Sequence, residues 1–85
     1  MKIGFIGSGN MAKALMKGIL DKGISSNEEI ISSDIFPEAL EFVKKEYSIK
    51  TTEDNKEVVR NSEIIFLAVK PQIMNEVLEG IKEEI

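Results

Sequence analysis

Residues 2–17 read KIGFIGSGNMAKALMK, and this stretch decides the fold. A short apolar strand, with Ile3, Phe5 and Ile6, leads into GSGNMA, which has the pattern G-x-G-x-x-A over residues 7–12. Apolar residues then recur at the helical spacing i, i+4, i+8, at Met11, Leu15 and Ile19. A strand, a glycine turn and a helix in this order are typical of the first unit of a dinucleotide-binding domain.

Each small residue of the turn has a physical role of its own. Gly7 permits the sharp exit from the strand, and Gly9, which lacks a Cβ, lets a pyrophosphate approach the backbone. Ala12 is small enough for the helix to pack closely against the strand. Backbone N–H groups at the helix start would then face the pyrophosphate, assisted by the helix dipole. A tight turn without a ligand is the alternative, because glycine turns after strands are common.

Length and composition exclude several classes of function. The chain has 85 residues, which allows one domain, and its net charge of −4 argues against nucleic acid as a partner. It has no Cys and no His, so disulfides, thiol nucleophiles, Ser-His-Asp triads and most zinc sites are removed together. We therefore expect neither a metal site nor catalytic residues here. No apolar run has the length of a membrane span, and the lack of cysteine agrees with a cytoplasmic location.

The rest of the chain predicts three further strand–helix units. Residues 29–33 (EIISS) form a second strand, and Pro37 suits the first turn of the helix that follows. That helix would place one apolar face toward the core, with Phe36, Leu40, Val43 and Tyr47. Residues 49–51 are a minimal third strand, followed by a short helix that contains Val58 and Val59. Gly23 is expected to end the first helix in a left-handed conformation.

The fourth unit begins with EIIFLAV, residues 63–69. It is nearly continuous in apolar residues without alternation, which predicts a parallel strand buried on both faces. A helix runs from about Gln72 to the end of the sequence. Its apolar stripe would comprise Ile73, Met74, Val77, Leu78, Ile81 and Ile85.

The order βαβαβαβα predicts an α/β fold with a parallel sheet and right-handed crossovers. We expect residues 1–85 to form a Rossmann-like, doubly wound domain with strand order 3-2-1-4. The last helix has no stop signal and later strands are lacking, so we interpret the chain as a truncated part of a longer protein. A self-contained small α/β domain is the alternative.

Three blocks of the chain resemble pyrroline-5-carboxylate reductase. They are IGFIGSGNMAKALMKG (residues 3–18), DNKEVVRNSEIIFLAVKPQ (residues 54–72) and VLEGI (residues 77–81). The first block is shared with other reductases, whereas FLAVKPQ after an asparagine-led helix is the more specific signature. The resemblance extends over all 85 residues and implies the N-terminal cofactor domain of the family. That family reduces 1-pyrroline-5-carboxylate, a small molecule, to L-proline with NADPH or NADH.

The resemblance also implies which residues bind the cofactor. The pyrophosphate would be wrapped by Ile6, Gly7, Ser8, Gly9, Asn10 and Met11. Ser33 and Asp34 would lie at the adenine ribose, and Asn55 matches an asparagine that contacts the cofactor. The nicotinamide side would be bordered by Ala68, Val69, Lys70 and Pro71. The family's substrate-binding groups and its dimer interface belong to a C-terminal helical domain, so we expect a homo-oligomeric enzyme whose first 85 residues alone are inactive.

Three of these residues have plainer alternatives. An acid just beyond the second strand accepts hydrogen bonds from the ribose hydroxyls and repels a 2′-phosphate, so Asp34 favours NAD(H), whereas the family favours NADP(H). Asp34 could instead cap the Pro37 helix. Asn55 could be only a turn or helix-start residue, and Lys70 could be a solvated lysine at a strand end.

The function itself also has alternatives. A non-catalytic domain that senses NAD(H) would carry the same glycine turn, and so would the cofactor domain of a β-hydroxyacid-type dehydrogenase. The Lys70-Pro71 block fits the dehydrogenase less well, and Asn55 favours the reductase.

Overall fold

Over residues 1–84, which the computed structural model describes, four strands alternate with four helices. The first half comprises β1 (Ile3–Ile6), α1 (Asn10–Asp21), β2 (Ile30–Ser33) and α2 (Pro37–Tyr47). The second half comprises β3 (Lys50–Thr52), α3 (Asn55–Arg60), β4 (Ile64–Leu67) and α4 (Pro71–Ile81). Single 3₁₀ turns cover Asn27–Glu29 and Lys82–Glu84. The predicted order of elements is confirmed, with boundaries that differ by a residue or two, except that α4 ends at Ile81 and does not continue to the end of the sequence.

All strand pairs in the sheet are parallel, and the strand order is β3-β2-β1-β4. In β1, Ile3 pairs with Ile30 on one side and with Ile64 on the other, so the three strands start level. Their carboxyl ends are therefore level too, at Ile6, Ser33 and Leu67. The chain changes direction across the sheet between β1 and β4, which is where ligands bind in open α/β sheets.

Two apolar clusters cover the two faces of the sheet, as a doubly wound fold requires. One contains Phe5 of β1 with Ala12 and Met16 of α1 and Val43 of α2. The other contains Ile6 of β1 with residues from α3 and α4, among them Val58, Val59 and Ile81. Because successive strand residues point to opposite faces, each helix pair is fixed to one side of the same short strands.

The predicted core faces of α1 and α2 were wrong in part. Met11 is 58% exposed and Phe36 is 59% exposed, whereas α1 buries Ala12, Met16 and Ile19. Successive helical residues point about 100° apart, so Met11 lies off the buried face to which its neighbour Ala12 belongs. Phe36 is the N-cap of α2, so it precedes the helical face that buries Leu40 and Val43.

The prediction that EIIFLAV is buried on both faces was wrong. Ile64 is 42% exposed, and the following residues of β4 are only half-buried. The reason is position, since β4 is an edge strand with a neighbour on one side. Of the stripe predicted for α4, Ile81 is buried, Ile73 and Leu78 are exposed, and Ile85 lies outside the described residues.

The end of α1 is confirmed. Gly23 has a φ of +66°, its N–H donates to the Leu20 carbonyl, and the Ile24 N–H donates to the Ile19 carbonyl. These two bonds form a Schellman motif, which satisfies carbonyls that the helix would otherwise leave unpaired.

The β4 edge leads us to expect self-association of the 85-residue chain. Its backbone groups on the outer side have no strand to pair with among residues 1–84, and the strand contains no charge or proline. Such edges pair with other chains. Sedimentation velocity over a range of concentrations should show dimers or larger species.

Ile64→Lys should shift those species toward monomer, because a charge on an edge strand opposes pairing. The matched control is Ile35→Lys, at a residue 79% exposed beyond β2, which should leave the distribution unchanged. A wild-type chain that stays monomeric at every concentration would contradict the prediction.

Candidate functional site

The glycine turn is held between the two strands that flank β1. The Gly7 N–H donates to the Ser33 carbonyl at the end of β2, at 2.9 Å. On the other side, the Ala68 N–H that follows β4 donates to the Ile6 carbonyl at 2.8 Å. Predicted site residues from three separate parts of the sequence, at positions 6–7, 33 and 68, thus meet at the carboxyl end of the sheet.

Gly7 has no room for a side chain. Its φ is +105°, a conformation that L-residues rarely adopt, and a Cβ there would collide with the Ala68 carbonyl oxygen. The sharp exit from β1 therefore requires glycine for two independent reasons.

Gly9, by contrast, is required neither by its backbone conformation nor by the atoms around it. Its φ is −79°, which any residue adopts, and a Cβ built there would meet no atom within 4 Å. Gly9 is the N-cap of α1, and no side chain caps the helix or places an acid in its first turn. Among the described residues no side chain accepts from the N–H groups at the start of α1, where the positive end of the helix dipole lies.

A buried set of serines lies beneath the turn. Ser8, Ser32 and Ser33 are each 0% exposed. The Ser8 hydroxyl is 2.5 Å from the Ser32 hydroxyl and donates to the Ser33 carbonyl at 3.0 Å. These bonds fix the turn to the end of β2. Among the described residues, Ser32 is the one that sequence reasoning left out, although a polar residue inside an apolar strand was a usable signal.

Asp34 is held at the glycine turn by two backbone N–H groups. Its Oδ2 accepts from Ser8 N–H and its Oδ1 accepts from Phe36 N–H, both at 2.9 Å. The alternative that Asp34 caps α2 is wrong, because the N-cap is Phe36. Its predicted contact with the ribose stays a prediction.

Asn55 is the first residue of α3, and its side chain contacts Ser33 at the carboxyl end of β2. The helix is capped by Asp54, whose side chain accepts from Lys56 N–H at 2.9 Å. The side chain of Asn55 is therefore not needed as a cap, and its Oδ1 accepts from the Ser33 hydroxyl at 2.5 Å.

The Ala68–Pro71 segment leads from β4 into α4. Ala68 and Val69 are half-buried and pack against the two apolar clusters. Lys70 is exposed at the N-cap of α4, and Pro71 occupies the first helical position. Ala68 and Val69 lie beside Gly7, and the predicted contact of the exposed Lys70 with an anionic cofactor group stays a prediction.

Shifted pKa values belong to surface ion pairs at other places. The N-terminal ammonium of Met1 hydrogen-bonds Glu29 at 2.8 Å and lowers its pKa to about 2, and the Ser26 N–H contributes in the same direction. Arg60 lowers the pKa of Glu84 through a hydrogen bond and an ion pair. Glu29 precedes β2, so it lies at the amino end of the parallel strands, whereas the glycine turn lies at their carboxyl end.

Neither a metal-binding cluster nor a membrane-spanning helix occurs among residues 1–84. No group of three or more His, Cys, Asp or Glu residues there is placed to hold a metal ion. In the same range, no helix is both long enough and apolar enough to cross a bilayer.

The arrangement fits the pyrophosphate of a dinucleotide. Open space above Gly9 and unpaired N–H groups at the start of α1 match the shape and charge of such an anion. The arrangement therefore predicts a site for binding a cofactor, and neither His nor Cys accompanies it because the sequence contains none.

Comparison with known proteins also indicates a dinucleotide-dependent oxidoreductase family. The model of the family described as NADP oxidoreductase, coenzyme F420-dependent, matches residues 2–85. A pyrroline-5-carboxylate reductase of Methanosarcina acetivorans is 44% identical over 84 residues. The match covers 99% of this chain but 31% of that relative, so the chain spans less than a third of its length.

Solved structures of pyrroline-5-carboxylate reductases have the same fold over this chain. A pyrroline-5-carboxylate reductase from Coxiella burnetii superposes with a TM-score of 0.90 at 33% identity, over 96% of this chain and 30% of that one. The Plasmodium falciparum pyrroline carboxylate reductase, solved with NADP bound, gives 0.82 at 33% identity, over 99% and 29%. The Rossmann-like fold is thereby confirmed.

Proposed function

We propose that this chain, which belongs to the family described as NADP oxidoreductase, coenzyme F420-dependent, is the dinucleotide-binding part of a pyrroline-5-carboxylate reductase. The reaction is the reduction of 1-pyrroline-5-carboxylate to L-proline. The bound cofactor supplies the hydride, and this domain binds and orients it.

The open glycine turn carries the proposal. Gly9 has the backbone conformation of an ordinary residue and empty space where its side chain would stand. Nothing in the packing of residues 1–84 accounts for a glycine there, whereas an approaching pyrophosphate does.

We propose NADP(H) as the cofactor, with NAD(H) as an alternative. The pyrophosphate, the adenine ribose and the nicotinamide are each assigned to residues at the carboxyl end of the sheet. Residues 6–11 hold the pyrophosphate, Asp34 lies at the adenine ribose, Asn55 donates to the cofactor, and residues 68–71 border the nicotinamide. The name of the family and the NADP-bound relative support NADP(H), while the carboxylate of Asp34 favours NAD(H).

The substrate site lies outside these 85 residues in this proposal. The relatives are about three times as long, and the described residues offer no imine-binding group. A C-terminal domain would supply the substrate site and the contacts of a homo-oligomer, in a cytoplasmic enzyme.

A chimera tests the proposal. This chain replaces the matching segment of the Methanosarcina relative, and oxidation of NADPH is followed with 1-pyrroline-5-carboxylate as substrate. We expect substrate-dependent turnover, which a Gly9→Val version of the chimera should lose. A folded chimera that binds NADPH without turnover would favour a non-catalytic NAD(H)-sensing domain.

Asp34→Ser is expected to raise the affinity for NADP relative to NAD by roughly tenfold. The substitution removes a carboxylate from the place of the 2′-phosphate, where like charges repel in a partly dry site. Isothermal titration with both oxidised cofactors measures the two dissociation constants.

The control separates charge from geometry, because Asp34 also holds the glycine turn through Ser8 N–H. Asp34→Asn retains an acceptor oxygen without the charge, so it should shift the ratio in the same direction. An unchanged ratio in both variants would show that Asp34 only braces the turn.

A further inference from the structure

Ser33 and Asn55 form a hydrogen-bonded pair that joins β2 to α3. Ser33 is the last residue of β2, and Asn55 is the first of α3. Their side chains meet at 2.5 Å, on the face of the sheet that α3 covers. The Ser33 carbonyl also accepts from the Gly7 N–H, so the pair adjoins the glycine turn directly.

Ser33 cannot itself reach a ligand from this position. Its side chain is 0% exposed, beneath the turn, whereas Asn55 is half-buried and retains exposed surface. A contact with the cofactor is therefore open to Asn55 and closed to the Ser33 hydroxyl.

The burial of Ser33 also selects the orientation of the Asn55 amide. Within residues 1–84 the Ser33 hydroxyl makes this one hydrogen bond, as a donor to Oδ1. With the amide turned the other way, Nδ2 would donate to the hydroxyl and the buried hydroxyl proton would be left without an acceptor, which is costly. Oδ1 is thus held by Ser33, and Nδ2 is the end that faces outward.

We propose that Ser33 is a positioning residue whose hydroxyl orients Asn55 so that Nδ2 donates to an oxygen of the bound dinucleotide. The inference rests on the proposed function, because Asn55 must contact the cofactor. It replaces the direct contact between Ser33 and the ribose that the sequence predicted. An amide free to turn would present Oδ1 to the oxygen-rich ligand for part of the time, and the two acceptors would repel.

A double-mutant cycle on NADPH binding tests this role. Isothermal titration is carried out on the 85-residue chain and on its Ser33→Ala, Asn55→Ala and doubly substituted variants. We expect dissociation constants about fivefold higher for Ser33→Ala and about tenfold higher for Asn55→Ala. The double variant should bind like Asn55→Ala, because Ser33 has nothing left to orient.

Ser32→Ala is the matched control. Ser32 is equally buried on the same strand, but its hydroxyl contacts Ser8 and not Asn55. Any effect of Ser32→Ala should therefore be the same with or without Asn55. A merely structural role of Ser33 would behave in this way too, with equal losses in both backgrounds, and would overturn the inference.

Two further outcomes keep the inference and the proposed function apart. If the wild-type chain binds NADPH and the Asn55→Ala chain binds it with the same dissociation constant, the inference alone is overturned. A wild-type chain that does not bind NADPH would overturn both. If Ser33→Ala fails to fold, Ser33→Cys retains the volume with a weaker donor and should bind with intermediate affinity. Equal affinity of Ser33→Cys and wild type would then count against the inference.

Discussion

The Gly9→Val chain is expected to fold and to lose binding of NADPH by at least roughly 100-fold, about 2.8 kcal/mol. Valine accepts the backbone conformation of Gly9 and its Cβ meets no atom of the described residues within 4 Å, so we expect the fold to tolerate it. Its branched side chain fills the space that the pyrophosphate needs and covers the N–H groups of the first turn of α1. Isothermal titration measures the loss, and circular dichroism shows that the helices are retained.

Gly18→Val is the matched control for this variant. Gly18 lies further along α1, and a Cβ there also meets no atom within 4 Å. The same substitution is therefore made in the same helix, away from the turn, and binding should not change. If Gly9→Val binds NADPH as tightly as the wild type, the glycine turn is a tight βα connection without a ligand.

Gly7→Ala is expected to lower the free energy of unfolding by about 2–4 kcal/mol. Two costs combine here, since alanine is strained at a φ of +105° and its Cβ collides with the Ala68 carbonyl oxygen. A domain of this size has a total stability of only about 4–13 kcal/mol, so the loss is a large share of it. Urea unfolding followed by circular dichroism gives the free energies.

Gly9→Ala provides the comparison, because it adds the same methyl group two residues away in open space. We expect its stability to differ from that of the wild type by less than about 1 kcal/mol. Similar urea midpoints for the Gly7→Ala and wild-type chains would mean that the turn adapts to a side chain, and that the close contact with Ala68 is not essential.

Periodicity predicted the fold well because each element carries its own local signal. The apolar strand before GSGNMA, Pro37 at the first position of α2 and Gly23 after α1 all have the predicted roles. The alternation of strands and helices then leaves few ways to form a parallel sheet, and the order β3-β2-β1-β4 is confirmed.

Burial was harder to predict, because it depends on what lies next to an element and not on the element alone. EIIFLAV has the composition of a central strand, but β4 has one neighbour and leaves Ile64 exposed. Met11 and Leu15 have helical spacing with Ile19, but the face of α1 that packs on the sheet is formed by Ala12, Met16 and Ile19 and leaves Met11 and Leu15 exposed.

The sequence alone determined β1, the glycine turn and α1 of the candidate site, since backbone freedom and residue spacing act over a few residues. It also named residues that assemble there from distant parts of the chain, around positions 7, 33, 55 and 68. Only the tertiary structure decided what each of them does: that Gly7 is enclosed and Gly9 is open, that Asp34 braces Ser8, and that Ser33 is buried behind Asn55. These roles depend on contacts between groups that are 22 and 26 residues apart in the chain or on the space around one Cα, and only folding fixes either of them.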